Sequence, residues 1–226
     1  LDVIVERIKR EFKVEANVGA PKVAYRETVR KTASAQGKFI RQSGGRGQFG
    51  DVTLRIEPLE AGSGLVFESE ITGATLPTEY FGPVEQGFKE AAQSGVVAGH
   101  PVVDIKAILI DGSHHEVDSS EVAFKIASSM AFKEACQKAS PFILEPVMLM
   151  EVVTPEEFLG DVLGDLQSRR AQVQSMEPQA GLQIVKAHVP LAETFQYATI
   201  LRSNTTGRAS FTQELDHYAP APMKDN

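Results

Sequence analysis

The order of elements in the C-terminal third constrains the fold of this chain more than any other feature. EPVMLMEVVTP (145–155) is an apolar run of strand length that ends at a proline, and PEEFLGDVLGDLQSRR (155–170) follows with helical spacing and two acids in its first turn. AQVQSMEP and GLQIVKAHVP read as paired strands across Pro178-Gln179-Ala180-Gly181. AETFQYATILRSNTTG (192–207) predicts a second helix stopping at a glycine, and RASFTQELDHY (208–218) a last strand. Strand, helix, strand, strand, helix, strand is the split βαβ, ferredoxin-like plan, with two helices on one face of an antiparallel sheet. The tail APAPMKDN carries nothing that would order it.

Upstream the pattern changes. KVAYRETV, GKFIRQS, DVTLRIEPL and LVFESEITG read as strands, and TEYFGPVEQGFKEAAQSG as a helix that tolerates Pro83 in its first turn. VVDIKAILIDG is a further apolar strand. Asp118-Ser119-Ser120-Glu121 has capping-box spacing with Asp118 as the cap, and the helix behind it places Val122, Ile126 and Met130 on one face alongside Ala123, Ala127 and Ala131. Residues 1–13 have helical spacing, with Val3, Ile4, Ile8 and Phe12 on one stripe, and VEANVG reads as a short strand. One helix and one strand cannot close a core, and Leu1 is not a start residue, so the chain is expected to begin inside a longer one. The helix before Ser140-Pro141 must end there. The expectation is an α+β chain of two domains after a short N-terminal remnant.

Composition narrows the function. No apolar run approaches the ~18–20 residues that span a bilayer, and one cysteine, Cys136, excludes an internal disulfide framework and thiolate zinc clusters. A reducing, cytoplasmic setting is expected. The net charge of -7 opposes general affinity for nucleic acid, yet the charge is uneven. Between Lys22 and Arg55 eight basic residues face two acidic ones, a local +6, whereas six basic and eleven acidic residues give -5 from Pro141 onward. The first of these segments can meet phosphate.

The basic segment contains QSGGRGQFG (42–50), with four glycines around Arg46 between two strands. It lacks the GxxxxGK[ST] spacing of a phosphate-binding loop and precedes a strand, which also excludes a dinucleotide fingerprint. Two readings stay open: a long hairpin tip in which glycines supply positive φ, and a thin loop letting Arg46 and Gln48 approach RNA backbone or base edges. The second polar cluster is Asp111-Gly112-Ser113-His114-His115-Glu116-Val117-Asp118. Adjacent histidines diverge, and no third ligand stands at i, i+4 spacing, so no metal is assigned to them. A polar loop leading into a capped helix competes with a histidine that stacks on or bonds to nucleic acid. Arg169-Arg170 end a helix, where cations suit the dipole. No GxSxG elbow supports a hydrolase.

REFKVEANVGAPKVAYRET (10–28), SGGRGQFGDV (43–52), GSHHEVDSSEVAFKIASSMAFKEA (112–135) and GDVLGDLQSRRAQV with PLAETFQYATILRSNTTGRASF (160–173, 190–211) together resemble the C-terminal part of bacterial elongation factor G, in order along the whole chain. The resemblance implies that residues 1–19 end a third domain. Residues 20–139 would form a fourth domain related to ribosomal protein S5, with a left-handed βαβ crossover. Residues 140–226 would form a ferredoxin-like fifth domain. It implies a translational GTPase that moves tRNA and mRNA through the ribosome, with GTP and Mg2+ bound in N-terminal domains, so that no cofactor and no catalytic residue is expected in this chain. It also implies two tip loops that reach the small-subunit decoding centre and its tRNA–mRNA duplex. One comprises Ser43, Gly44, Gly45, Arg46, Gly47, Gln48 and Phe49; the other Gly112, Ser113, His114, His115 and Glu116. His115 falls at the family's tip histidine, and His114 stands where many members carry tyrosine. The fifth domain would face large-subunit rRNA and the stalk base, and a monomer is expected. The alternatives are a recycling or tetracycline-protection relative of the same GTPase class, or a free-standing RNA-binding module.

Overall fold

A computed structural model describes residues 22–42, 45, 47–72 and 75–222. The expected helix at 1–13 and the strand VEANVG lie outside the described residues, as do Ser43, Gly44, Arg46 and the last four residues of the tail. Among the described residues no helix is long and apolar enough to cross a membrane. The chain is α+β and divides into two compact units, one of residues 25–144 with 220–222, the other of 145–219 with 22–24. The division falls inside a strand, Pro141–Pro155.

The first unit is built on a four-stranded sheet in the order β2 (Ala33–Arg41), β3 (Gln48–Pro58), β5 (Ile105–Ser113), β4 (Leu65–Ser69). β3 runs antiparallel to both β2 and β5, and β4 is parallel to β5. A parallel pair needs a crossover, and α1 (Phe81–Ser94) supplies it, entered through a 3-10 turn at Thr78–Tyr80. α2 (Glu121–Lys138) packs across β2 and β3 with α1 beside it. Phe88, Phe124 and Phe132 fill the layer against Leu54, Ile56, Ile105 and Leu109, all fully buried.

α2 approaches the sheet very closely because glycines face it. A Cβ on Gly37 would lie 2.0 Å from the Ala127 carbonyl oxygen, and one on Gly50 2.4 Å from that of Ala123. Alanines on the helix and glycines on the strands thus let the two backbones touch, which corrects the expected face of α2. Val122 and Met130 are exposed, and the buried stripe is Ala123, Phe124, Ala127, Ala131, Phe132, Ala135 and Cys136. The large aliphatic side chains have no room between the backbones. Burial pushes the Cys136 thiol up to about 12, with the Glu27 charge adding to it, so the thiol stays protonated. The expected cap is corrected as well: Ser120, with extended backbone, is the N-cap, and its Oγ accepts from the Ala123 N–H at 3.1 Å.

β1 (Arg26–Val29) joins none of these four strands. It pairs antiparallel with Pro141–Leu144, the opening of β6 (Pro141–Pro155), which starts four residues before the expected strand. Its buried Glu27 explains the placement. The carboxylate accepts from the N–H groups of Val96 (2.6 Å), Val97 (2.8 Å), Ala98 (2.8 Å) and His100 (2.9 Å), closing the turn after α1. Burial opposes ionisation here, but the four donors outweigh it and hold the carboxyl below its ordinary range.

In the second unit the remainder of β6 is followed by α3 (Leu159–Ser168), β7 (Gln172–Gln179), β8 (Leu182–Pro190), α4 (Tyr197–Asn204) and β9 (Ser210–Pro220). The strand order β9-β6-β8-β7 is the predicted split βαβ plan. Met150 and Val152 on β6 and Val185, Ala187 and Val189 on β8 turn one face of the sheet toward Val162, Leu166, Tyr197 and Leu201. Two local expectations change. The second helix begins at Tyr197 rather than near residue 192, because Gln196 adopts a left-handed backbone (φ 55°). Arg169 is the reason: its Nη1 donates to the Glu193 and Phe195 carbonyls at 2.7 and 2.8 Å, diverting acceptors that a first helical turn would use. Arg169 and Arg170 are therefore anchors more than dipole partners. Arg169 also pairs with Asp165 at 2.9 Å, and Arg170 grips Glu145 through both terminal nitrogens.

Candidate functional site

Register decides where the two glycine- and histidine-bearing segments meet. β2 and β3 stay paired to Arg41 opposite Gln48, so the first strand is left and the second entered at one end of the sheet. β5 reaches the same end with Ser113 opposite Asp51 and Gly112 opposite Val52. Two segments some seventy residues apart in sequence thus leave the sheet side by side.

They are also joined. The Phe49 N–H donates to the Asp118 carbonyl at 2.9 Å, and Phe49 bridges Ser119 in parallel, so the second loop returns along the start of β3. A Cβ on Gly47 would lie 3.1 Å from the Arg41 carbonyl oxygen and 3.2 Å from the Asp118 carboxyl carbon. A side chain here would crowd the second loop and have to be met by a small shift of its neighbours. The Phe49 ring is half-buried, 5.9 Å from the His115 ring and 5.8 Å from the Lys38 ammonium. Ser119 fixes the second loop twice: its Oγ accepts from the His115 N–H at 2.6 Å, and its own N–H donates to the His115 carbonyl at 3.1 Å. The Asp118 carboxylate stands 3.8 Å from His115 Nδ1.

Beneath this tip Asp51 ties three strands together. Gln36 on β2 donates to its Oδ1 at 2.8 Å, and Ser113 on β5 to its Oδ2 at 2.6 Å. The base is therefore rigid where the loops leave it.

The residues singled out in the sequence fall into three groups. Gly45, His114, His115 and Glu116 are exposed loop residues, and Gly47 is a half-buried one. Gln48, Phe49, Gly112 and Ser113 are strand residues, so the loop expected from Asp111 begins only at His114. Gly112 is buried, and a Cβ there would meet Leu76 Cδ2 at 3.1 Å. Gly50, the fourth glycine of QSGGRGQFG, belongs to the α2 contact and not to the turn. Ser43, Gly44 and Arg46 lie outside the described residues. The two histidines have different neighbours: His114 Nδ1 lies 3.4 Å from the Thr75 carbonyl, whereas His115 faces Phe49 and Asp118.

Sequence reasoning missed Lys38, Asp51, Asp118 and Ser119 as parts of the site. Lys38 had a legible signal, since strand alternation puts it on the surface within the basic segment. Asp118 and Ser119 look like helix-capping residues, and only the fold brings them to β3. Arg41, Gln42 and Ile40 add exposed surface at this end of the sheet. The arrangement places the His114 and His115 imidazoles, the Gln42 and Gln48 amides and the Lys38 cation at one end of the sheet.

Comparison with known proteins agrees with the fold. The family described as Elongation factor G, domain IV, matches residues 21–140, and that described as Elongation factor G C-terminus matches residues 142–226. A crystal structure from Thermus thermophilus is 49% identical with a TM-score of 0.81, covering 90% of this chain. The present chain spans 30% of the length of that one. With two successive family matches over nearly all its residues, the chain belongs to the elongation factor G family.

Proposed function

We propose that this chain is the part of a translation elongation factor that promotes ribosomal movement of tRNA and mRNA, with the tip described above entering the small-subunit decoding centre. The observation that carries the reading is the Phe49–Asp118 bond, which joins the starts of two distant loops over a base tied by Asp51. A codon–anticodon duplex presents a wide, shallow minor groove lined with 2′-hydroxyls, which a thin edge can enter by shape rather than by sequence. Gly45 and Gly47 keep the edge thin, Arg46 and Lys38 supply charge, and Gln48 and His115 supply hydrogen bonds. Occupying the groove would release the duplex from the decoding nucleotides and bias tRNA forward.

In this reading the chain contributes no catalytic group. GTP and Mg2+ belong to the GTPase domain of the full-length protein, and the second unit faces large-subunit rRNA and the stalk base. The setting is the cytoplasm and the state monomeric. His115→Ala in the full-length factor should slow single-round translocation by roughly ten- to a hundred-fold, the loss of one or two good contacts. Ribosome-dependent GTP hydrolysis should change little. Equal slowing of both activities would overturn the assignment.

A further inference from the structure

The face of the second unit's sheet turned away from its helices carries a cluster unconnected with the tip. On β8 the buried residues Val185, Ala187 and Val189 alternate with His188, which therefore stands on the helix-free side. β9 contributes Asp216 and His217, and β6 lies between β8 and β9. One ligand atom from each of His188, Asp216 and His217 falls within 4.8 Å of the others.

Two imidazoles and one carboxylate form a donor set that suits borderline divalent ions, zinc above all. Bonds of about 2.0–2.2 Å put neighbouring ligand atoms of a tetrahedral zinc about 3.4 Å apart. His188 Nε2 is 3.4 Å from Asp216 Oδ2. His217 Nδ1, on the same oxygen at 2.6 Å, is hydrogen-bonded and must move away from it to admit an ion. The two rings meet edge-on, tilted 76° to each other with centroids 5.2 Å apart. All three side chains are partly exposed, at 25%, 36% and 45%, which leaves an entry path and a fourth position for water. To bind an ion, each imidazole presents a lone pair from the nitrogen that faces Asp216.

We propose that His188, Asp216 and His217 form a zinc site that staples β8 to β9 across β6. Such an ion would bind the folded unit and not the unfolded chain, and so would raise its thermal midpoint in a concentration-dependent way.

The chain of 226 residues, stripped with chelator, is titrated with Zn2+ by calorimetry. One ion per chain is expected, with affinity falling at least ~10-fold in His188→Ala and again in His217→Ala. The pair His114→Ala/His115→Ala should bind as the parent does. Absence of binding up to about 1 mM Zn2+ overturns the proposal, and so does binding that survives His188→Ala/His217→Ala. Should those variants lose secondary structure, the parent chain alone decides. Zn2+ must protect His188 and His217, and not His100, from diethylpyrocarbonate as read by mass spectrometry; equal modification with and without the ion overturns the site.

Discussion

Glu27→Gln is the sharpest test of the first unit's architecture. In the parent chain the carboxylate accepts four backbone N–H groups from residues 96–100, and Glu27 itself is fully buried. The amide matches the carboxylate in shape but has one acceptor oxygen, so its NH2 must face two of the four donors. Each hydrogen bond to a charged group is worth roughly 1.5–3 kcal/mol, and the stranded N–H groups have no water to turn to. The expected loss is about 3–5 kcal/mol, a large part of the stability of an ordinary domain. Urea unfolding followed at the first unit's aromatics measures it, and hydrogen exchange at Val96, Val97, Ala98 and His100 localises it. The sign with pH is fixed. The folded carboxyl is held below its ordinary value of 4.5, so the unfolded chain binds the extra proton and the stabilisation is present in full above that value. It fades as pH falls through the folded value. The gap between parent and variant should therefore be widest near neutrality and close in acid. A loss below about 1 kcal/mol, or a gap that does not change from neutral pH into acid, would refute the reasoning.

Two other substitutions probe the packing. Gly50→Ala places a methyl 2.4 Å from the Ala123 carbonyl and must push α2 from the sheet, at a cost of about 1–3 kcal/mol in thermal or urea unfolding. The shift should also weaken protection of the Phe49 amide, which is bonded to Asp118 just ahead of that helix. Arg169→Ala leaves the Glu193 and Phe195 carbonyls and the half-buried Asp165 without their donor. About 2–4 kcal/mol should be lost from the second unit alone, with the Tyr197–Asn204 helix fraying first by hydrogen exchange.

The second unit was legible because its signals are local. Strand alternation, helical spacing and prolines at the element ends each point to the same order, and the sheet that forms has the strand order this plan requires. The first unit was legible as elements but not as pairings. Nothing in RETV says that its partner lies at residues 141–144, since that choice rests on a buried carboxylate and a turn seventy residues away. The face of α2 was misjudged for a similar reason. Hydrophobicity favours Val122 and Met130, but clearance decides, and clearance depends on Gly37 and Gly50 on other strands. At the tip, the histidines and glycines stood out in the sequence. Asp51, Asp118 and Ser119 did not, because a short polar side chain acquires its role only from the neighbour that the fold delivers.

The Phe49–Asp118 hydrogen bond has a consequence for anyone exchanging parts between relatives. The segment 42–47 and the loop at 114–119 should not be transplanted one at a time. A foreign first segment with a side chain at position 47 would crowd the Asp118 carboxylate, which stands beside His115. Chimaeras should therefore inherit both segments from one parent, and a matched pair should work on a borrowed sheet where either half alone fails.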